Sequence, residues 1–496
     1  MKRLSVAHLG KLPSDVARPL YDRRALSPGV LHLGNGAFHR CHLAEHTDDA
    51  LHARFGPWGI RAVNLAPPDL GPMLDPQDGL YIRELREGAA RDRRVIGALL
   101  GNLTVTGPDS LRLALDWATD PATRLVTMTV TEKGYCHIPA TGQLDETHPD
   151  IAHDLAHPQS PHSVPGFVLA TILARRSAGI APVAFLSCDN VPGNGATLRR
   201  CVLALARATV PDAATWIEDM IAFPDTMVDR IVPATRPEDV VALSEATGLT
   251  DRALVIGEPF RMWAITRDPR MAHPDWEAAG ALIVADVEPY EILKMRVVNG
   301  MQTGLCHLGH LAGHEFMSDV MADPVFAAFA ARTARAEVAP HLPPVAGVDA
   351  QDYIALTLRR LHNTALRHAT SQIATDGSRK IRQRLLEPLA AALMSGQSAP
   401  GLTLAIAGWM AHLRHIASLP EPRPVSDPML PAVIRATETS RTDSAAFVAE
   451  LLAFEQVFPR RIAELPGLSA RLASLVEAIR RDGARATLAR HIEAPQ

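Results

Sequence analysis

The stretch Val30-Leu31-His32-Leu33-Gly34-Asn35-Gly36-Ala37-Phe38-His39-Arg40 decides how the first half of the chain folds. Val30 to Leu33 read as a buried strand that runs straight into Gly-x-Gly, and the pattern is then helical to about Leu51. Strand, glycine turn and helix in that order write the first turn of a dinucleotide-binding unit. The first glycine permits the tight turn, and the second lets backbone approach a pyrophosphate at the helix N-terminus. An ordinary turn accounts for Gly34 and Gly36 equally well, because His39 or Arg40 stands where the third glycine usually is. Arg40 is either a phosphate contact or a solvated helix residue.

Outward from this turn, Ile60–Leu65, Leu125–Thr131, Val183–Leu186, Leu254–Ile256 and Ala281–Val284 read as short strands rich in Val, Ile and Leu. Helical patterns such as Gly166–Arg176 and Gly195–Arg207 separate some of them. Strands alternating with helices imply a mostly parallel sheet covered on both faces. Beyond about residue 286 strand signals nearly vanish. Tyr290–Leu311, Val325–Val338, Tyr353–Leu361, Leu402–His415, Ser444–Phe454 and Ala470–Arg480 instead carry helix-like apolar spacing. The expectation is an α/β domain over 1–285 and an all-α domain over 286–496, with Pro420–Pro431 as a connecting loop. A chain of 496 residues is in any case too long for one ordinary core.

Composition removes several classes. With 50 basic and 54 acidic residues the formal charge is -4, which gives no global attraction to nucleic acid or an anionic membrane. No apolar run reaches the roughly 18–20 residues that span a bilayer, and the first residues lack the apolar stretch of a secretory signal. Cys41, Cys136, Cys188, Cys201 and Cys306 are few and scattered, which points to reduced thiols and a cytoplasmic location rather than a disulfide framework.

Chemistry concentrates in Tyr290-Glu291-Ile292-Leu293-Lys294-Met295-Arg296-Val297-Val298-Asn299-Gly300-Met301-Gln302. At α-helical spacing Lys294, Val298 and Gln302 share one face with Asn299 beside them. A lysine desolvated by apolar neighbours has its pKa lowered toward neutrality, as a general base requires, and a nearby Asn amide can donate to a developing alkoxide. A solvated surface lysine is the bland alternative. A second asparagine, Asn190, follows a strand in Ser187-Cys188-Asp189-Asn190, where ligands bind in open sheets or where such residues merely shape a turn. After the second strand an acidic residue would hold the adenosine ribose; Asp69 is the candidate, late in its loop, and no Arg follows to clamp a 2′-phosphate. NAD is therefore favoured, with NADP left open.

These residues lie within longer blocks: HLGNGAFHRCH from 32, PQDGLY from 76, TVTEKGY from 129, SCDN from 187, FPDTMVDRIVPAT from 223, GEPF from 257, VADVEPYEILKMRVVNG from 284 and DGSRK from 376. In order and over nearly the whole length, the chain resembles the mannitol dehydrogenase family, which includes polyol 2-dehydrogenases and hexuronate reductases such as fructuronate reductase. The resemblance implies a zinc-independent oxidoreductase with an N-terminal Rossmann-like domain and a C-terminal helical domain. It implies Lys294 as general base and Asn190 and Asn299 as the residues that polarise the substrate oxygen. Asp229, Lys380, Gln302 and Gln372 fall at its substrate positions, and Gly34, Gly36, Phe38, Arg40, Asp69, Glu132 and Val228 at cofactor positions. No metal is assigned, and a monomer or weak oligomer acting on a small sugar is expected.

The chain departs from that pattern at Gln302, where the family usually has His. Gln can donate and accept but cannot titrate, so a catalytically weak cofactor-binding protein on the same fold is the competing reading. TEKGYC, LRHATSQIATDGSRK and Gln372 lie nearer the hexuronate reductases, with Arg367, Arg379 and Lys380 as carboxylate partners; a plain polyol stays open. His307, His310 and His314, like His39, His42 and His46, are at helical spacing but read as satisfied histidines rather than metal ligands. No Walker A, Gly-x-Ser-x-Gly or His-Glu-x-x-His motif is present.

Overall fold

A computed structural model describes residues 1–138, 141–421, 425–440 and 442–493. The chain forms two compact units, Met1–Glu288 and Pro289–Gln496.

The first unit is built on a parallel sheet of β1 (Val30–Leu33), β2 (Ile60–Asn64), β3 (Leu99–Thr104), β4 (Leu125–Met128) and β5 (Ala184–Ser187), in the spatial order β3-β2-β1-β4-β5. Every residue of β1, β4 and β5 is buried, as strands covered on both faces must be. Helices Pro108–Thr119, Val164–Ser177 and Asn194–Thr209 cover one face, where Leu111, Phe167 and Leu198 pack with Leu31, Leu33, Val126 and Phe185. On the other face helix Leu43–Ala53 sets Ala44 and Leu51 against Val30 and Ile60. The helix expected from Ala37 to Leu51 is broken at His42 into Ala37–Cys41 and Leu43–Ala53.

Several strands carry no apolar signature. The hairpin Tyr81–Glu87 with Ala90–Ile96 is written largely in charges; beside buried Tyr81, Ile82, Leu85, Val95 and Ile96 it buries Arg83 and Glu84, which ion pairs satisfy. Glu84 accepts from Arg86 and Arg93, both at 2.6 Å, while Arg83 lies 3.1 Å from Glu45. Burial alone would raise Glu45, but Arg230, Arg83 and Arg261 outweigh it and hold the carboxyl at about 2. A separate sheet of Thr226–Asp229, Met262–Thr266 and Leu282–Val284 completes the unit.

The second unit is helical; its described residues take part in isolated bridges but no ladder. Helix Pro400–Ser418 is apolar nearly all round and packs on Gly300–Leu311 and Leu468–Asp482. Gly304 lets the first pair approach closely: a Cβ there would lie 3.2 Å from the Ala405 Cβ. Three segments, Met295–Asn299, Ala334–Val338 and Arg382–Leu386, are π-helical, and the first packs against both others. Of the expected loop Pro420–Pro431, residues 422–424 lie outside the described residues. Its end is corrected: Pro431 sits in the first turn of helix Leu430–Ser440, where its missing N–H has no partner to lose. All five cysteines are free and buried, and no described helix is long and apolar enough to cross a membrane.

Candidate active site

In the first unit the candidate residues gather where β1, β4 and β5 end. The strand order reverses between β1 and β4, the place at which open parallel sheets bind ligands. Gly34 has φ +90, and a Cβ there would lie 2.1 Å from the Thr129 carbonyl oxygen, so only glycine fits. Gly36 is exposed, and a Cβ there would meet nothing within 4 Å. Open space therefore surrounds the place of a Cβ at the start of helix Ala37–Cys41.

Buried amides lace this turn to its surroundings. The Asn35 N–H donates to Asn64 Oδ1 at 2.7 Å, and Asn35 Nδ2 donates to Asn102 Oδ1 at 2.8 Å. Asn64 Nδ2 donates to the Pro68 carbonyl at 3.2 Å, which ties the loop bearing Asp69 to the glycine turn. Asp69 itself is exposed and accepts from the Gly71 N–H at 3.0 Å.

The expectation for Arg40 needs correction. Its side chain is buried, donates to the Ala253 carbonyl and lies over the Tyr81 ring, 5.4 Å from the centroid. The helix directs this residue toward Tyr81–Glu87 and Val255–Gly257, so its charge serves the interior rather than a phosphate. Phe38 is half-buried and stacks on His42 at 5.0 Å. His39 stacks on His32 at 3.4 Å, and His32 Nε2 lies 3.1 Å from the Gly34 carbonyl oxygen. Burial holds His32 at about 3, and burial aided by Arg230 does the same to His42.

Sequence reading left Asp189 as a turn former, yet it organises the end of the sheet. It accepts from the N–H groups of Val130 at 3.0 Å and Thr131 at 2.8 Å and from the Tyr135 hydroxyl at 3.0 Å. Desolvation lifts its carboxyl to about 6 against the pull of those donors. The clamp holds Thr131 at φ +65, uncommon for a β-branched residue. It also ends the predicted strand Leu125–Thr131 early, at Met128. Asp189 thus joins the segment bearing half-buried Glu132 to the segment bearing exposed Asn190. Val228 and Asp229 are buried on Thr226–Asp229, and Val228 packs with Leu186 and Trp263.

In the second unit Lys294 ends helix Glu288–Lys294 and is only 6% exposed, with Asn299 and Gln302 each at 7%. Uniform α-helical spacing, which would put Val298 one turn beyond Lys294, is corrected here. Met295–Asn299 is a π turn, whose hydrogen bonds span five residues instead of four. The extra residue brings Asn299 into the place that Val298 would have taken, and the α-helix Gly300–Leu311 then carries Gln302 one turn further. Asn299 Oδ1 is buried and has no hydrogen-bond partner, an unusual condition that an incoming hydroxyl would relieve.

Lys380, on Gly377–Ile381, donates to the carbonyls of Ile373, at 3.3 Å, and Thr375. Gln372 and Arg379 are exposed, and exposed Arg367 lies over the Phe316 ring at 4.7 Å. The structure therefore gathers Lys294, Asn299 and Gln302 on one buried run and leaves Gln372 at the surface. His307 and His310 share His412 as a neighbour, and His314 lies apart. His307 Nδ1 lies 2.9 Å from His412 Nδ1, His310 meets the His412 ring edge-on, and His314 Nε2 is 3.9 Å from Asp323.

Family profiles described as the mannitol dehydrogenase Rossmann domain and the mannitol dehydrogenase C-terminal domain match residues 28–278 and 286–480. The chain belongs to the mannitol dehydrogenase family. It is 39% identical to the D-mannonate oxidoreductase of Escherichia coli (strain K12), over 84% of this chain and 86% of that one. It is 35% identical to the mannitol 2-dehydrogenase of Cereibacter sphaeroides, over 97% and 99% of the two chains. The Pseudomonas fluorescens mannitol 2-dehydrogenase, solved as a ternary complex with NAD and D-mannitol, superposes with a TM-score of 0.91 at 32% identity, covering 99% of this chain and 100% of that one. The chain is an oxidoreductase of this family, with a Rossmann-type N-terminal unit and a helical C-terminal unit.

Proposed function

We propose that this protein interconverts a secondary alcohol and a ketone on an open-chain sugar derivative, using NAD, with Lys294 as the proton-transferring group. The observation that carries the reading is the buried run of Lys294, Asn299 and Gln302, aligned by the π turn, with the Asn299 carboxamide oxygen unsatisfied. The open approach to Gly36 supports a pyrophosphate there, with Gly34 fixing the turn. NAD, when bound, supplies the acceptor or donor of the hydride.

The chain's own residues move the proton and hold the oxygen. Neutral Lys294 takes the hydroxyl proton during oxidation, and its ammonium form returns that proton to the ketone oxygen during reduction. By family resemblance Asn299 and Asn190 donate amide N–H groups to that oxygen as charge builds on it, while the free Asn299 Oδ1 accepts from a substrate hydroxyl. Because the two directions need opposite protonation states of one lysine, oxidation quickens with rising pH and reduction with falling pH. Rate profiles recorded in both directions check this, and parallel profiles would remove Lys294 from the role.

For the substrate we propose a hexuronate-type ketone over a plain polyol. Its support is the 39% identity to the D-mannonate oxidoreductase together with the cations Lys380 and Arg367. NADH and NADPH oxidation with fructuronate, tagaturonate and fructose, set beside NAD reduction with mannitol and sorbitol, tests it. A preference for one uronate supports the reading, and a preference for mannitol overturns it.

A further inference from the structure

The Rossmann-type unit contains a cluster that the oxidoreductase chemistry does not use. Between the end of β4 and helix Val164–Ser177 the chain passes through Thr131–Gly134, buried Tyr135 and Cys136, a short hairpin, and helix Pro149–Ala156. In this passage a sulfur, a nitrogen and an oxygen converge. Ligand atoms of Cys136, His148 and Asp150 all lie within 4.8 Å of one another. We propose that these three side chains bind a zinc-type divalent cation, with water in the fourth position.

The donors are pre-positioned by backbone bonds. The Cys136 N–H donates to Lys133 O at 3.3 Å, the Asp145 N–H to Cys136 O at 2.9 Å, and the His148 N–H to Asp145 O at 3.0 Å. Cys136 is 5% exposed and has φ +49, a left-handed conformation that non-glycine residues seldom adopt. Its Sγ has only long contacts to carbonyls, 3.9 Å to Lys133 and 3.8 Å to Gly134. Such local strain persists where the surroundings fix it and is common at ligand clamps.

His148 and Asp150 complete the set from the solvent side. They are half-exposed, with His148 Nδ1 3.8 Å from Asp150 Oδ2. Helix capping explains these two: His148 Nδ1 accepts weakly from the Asp150 N–H at 3.3 Å, and an acidic residue suits the first turn. Capping does not explain a buried, strained thiol aimed at the same point.

One thiolate, one imidazole and one carboxylate suit zinc or cobalt better than magnesium or calcium, which take oxygen ligands. Metal–ligand bonds of roughly 2.0–2.3 Å put tetrahedral ligands about 3.3–3.8 Å apart, so closing on the ion needs a shift of about 1 Å or less. Binding is not a redox step. The Cys136 S–H bond breaks, a sulfur–metal bond forms, and one proton leaves to solvent. The ion would tie the segment after β4 to helix Pro149–Ala156, while Asp189 clamps the other end of that segment at Val130 and Thr131.

The test uses the full chain, stripped with a chelator and titrated with Co2+, then with Zn2+. A thiolate-to-cobalt charge-transfer band that saturates at one equivalent and disappears on adding Zn2+ is the expected result. The band is lost in Cys136→Ser, which keeps the other four cysteines as an internal control. Cobalt affinity falls at least about tenfold in His148→Ala, a half-exposed site whose variant folds independently of any doubt over Cys136. Cobalt binding without a thiolate band, a band that survives Cys136→Ser, or unchanged affinity in His148→Ala would each overturn the proposal.

Discussion

The glycine turn of the first unit and the π turn of the second solve opposite problems. At the glycine turn the backbone is the functional group, and side chains are removed from its path. Gly34 cannot carry a Cβ, Gly36 opens onto space, and the buried amides of Asn35, Asn64 and Asn102 only hold the chain still. At the π turn the side chains are functional, and the backbone is distorted to line them up: the wider turn lets Lys294 and Asn299, five residues apart, share one face. Substitution should therefore damage shape in the first place and chemistry in the second.

Lys294→Ala gives the largest effect. Turnover falls by about 10²–10⁴-fold, the range for losing a general acid–base group, while the melting temperature and NADH binding, followed by fluorescence, stay close to those of the parent. A variant that also loses NADH binding would break the contrast. Gly34→Ala is its mirror image. Overpacking against Thr129 and the cost of φ +90 together remove about 3 kcal/mol from the first unit, read by urea unfolding, and turnover of the folded fraction changes less than stability does.

Acidification marks where the contrast ends, because both units bury neutral imidazoles. His32 and His42 in the first unit and His307 in the second, where Lys380 adds a smaller push in the same direction as burial, are each held at about 3. Their ordinary value is 6.5, so the unfolded chain takes up protons that the folded chain refuses. Stability is complete above pH 6.5 and declines below it, reaching a slope of about 1.4 kcal/mol per pH unit for each imidazole. Hydrogen exchange resolved by unit should show both opening as pH falls from 7 to 5; protection lost in only one would restore the contrast. The smallest effect belongs to Gln302→His. A neutral imidazole keeps a hydrogen-bonding group at that buried place, and turnover shifts by less than about tenfold. A rise of a hundredfold or more would instead identify the parent chain as the weak form.

Legibility in the sequence followed the same division. β1 was readable to its last residue because Val30–Leu33 is uniformly apolar apart from His32 and ends at a glycine that nothing else can replace. The long helices of the second unit were readable from apolar spacing. The hairpin Tyr81–Glu87 with Ala90–Ile96 was invisible because buried Arg83 and Glu84, satisfied by ion pairs, interrupt its buried apolar residues Tyr81, Ile82 and Leu85, so the two-residue apolar alternation never appears. Arg40 reads on paper as a phosphate contact or a solvated residue and Asp189 as a turn former, yet each charge is absorbed by neighbours distant in sequence. The π turn left no mark on composition, since MRVVN is as good an α-helical stretch as any.

That inserted residue sets a rule for the inheritance of this region. A π turn is an α-helix with one residue too many, so deleting a single codon between Met295 and Asn299 would let the helix close into its commoner form. Because Asn299 already stands where the fourth residue of an α-helix would, that deletion keeps it on the Lys294 face, whereas closing the helix at its present length would turn one side by roughly 100° and part the two. Exchange of one apolar residue for another at Val297 or Val298 is a far milder event. Over evolutionary time the segment should vary in spelling while its length changes by no more than that one residue, the reverse of an ordinary surface loop.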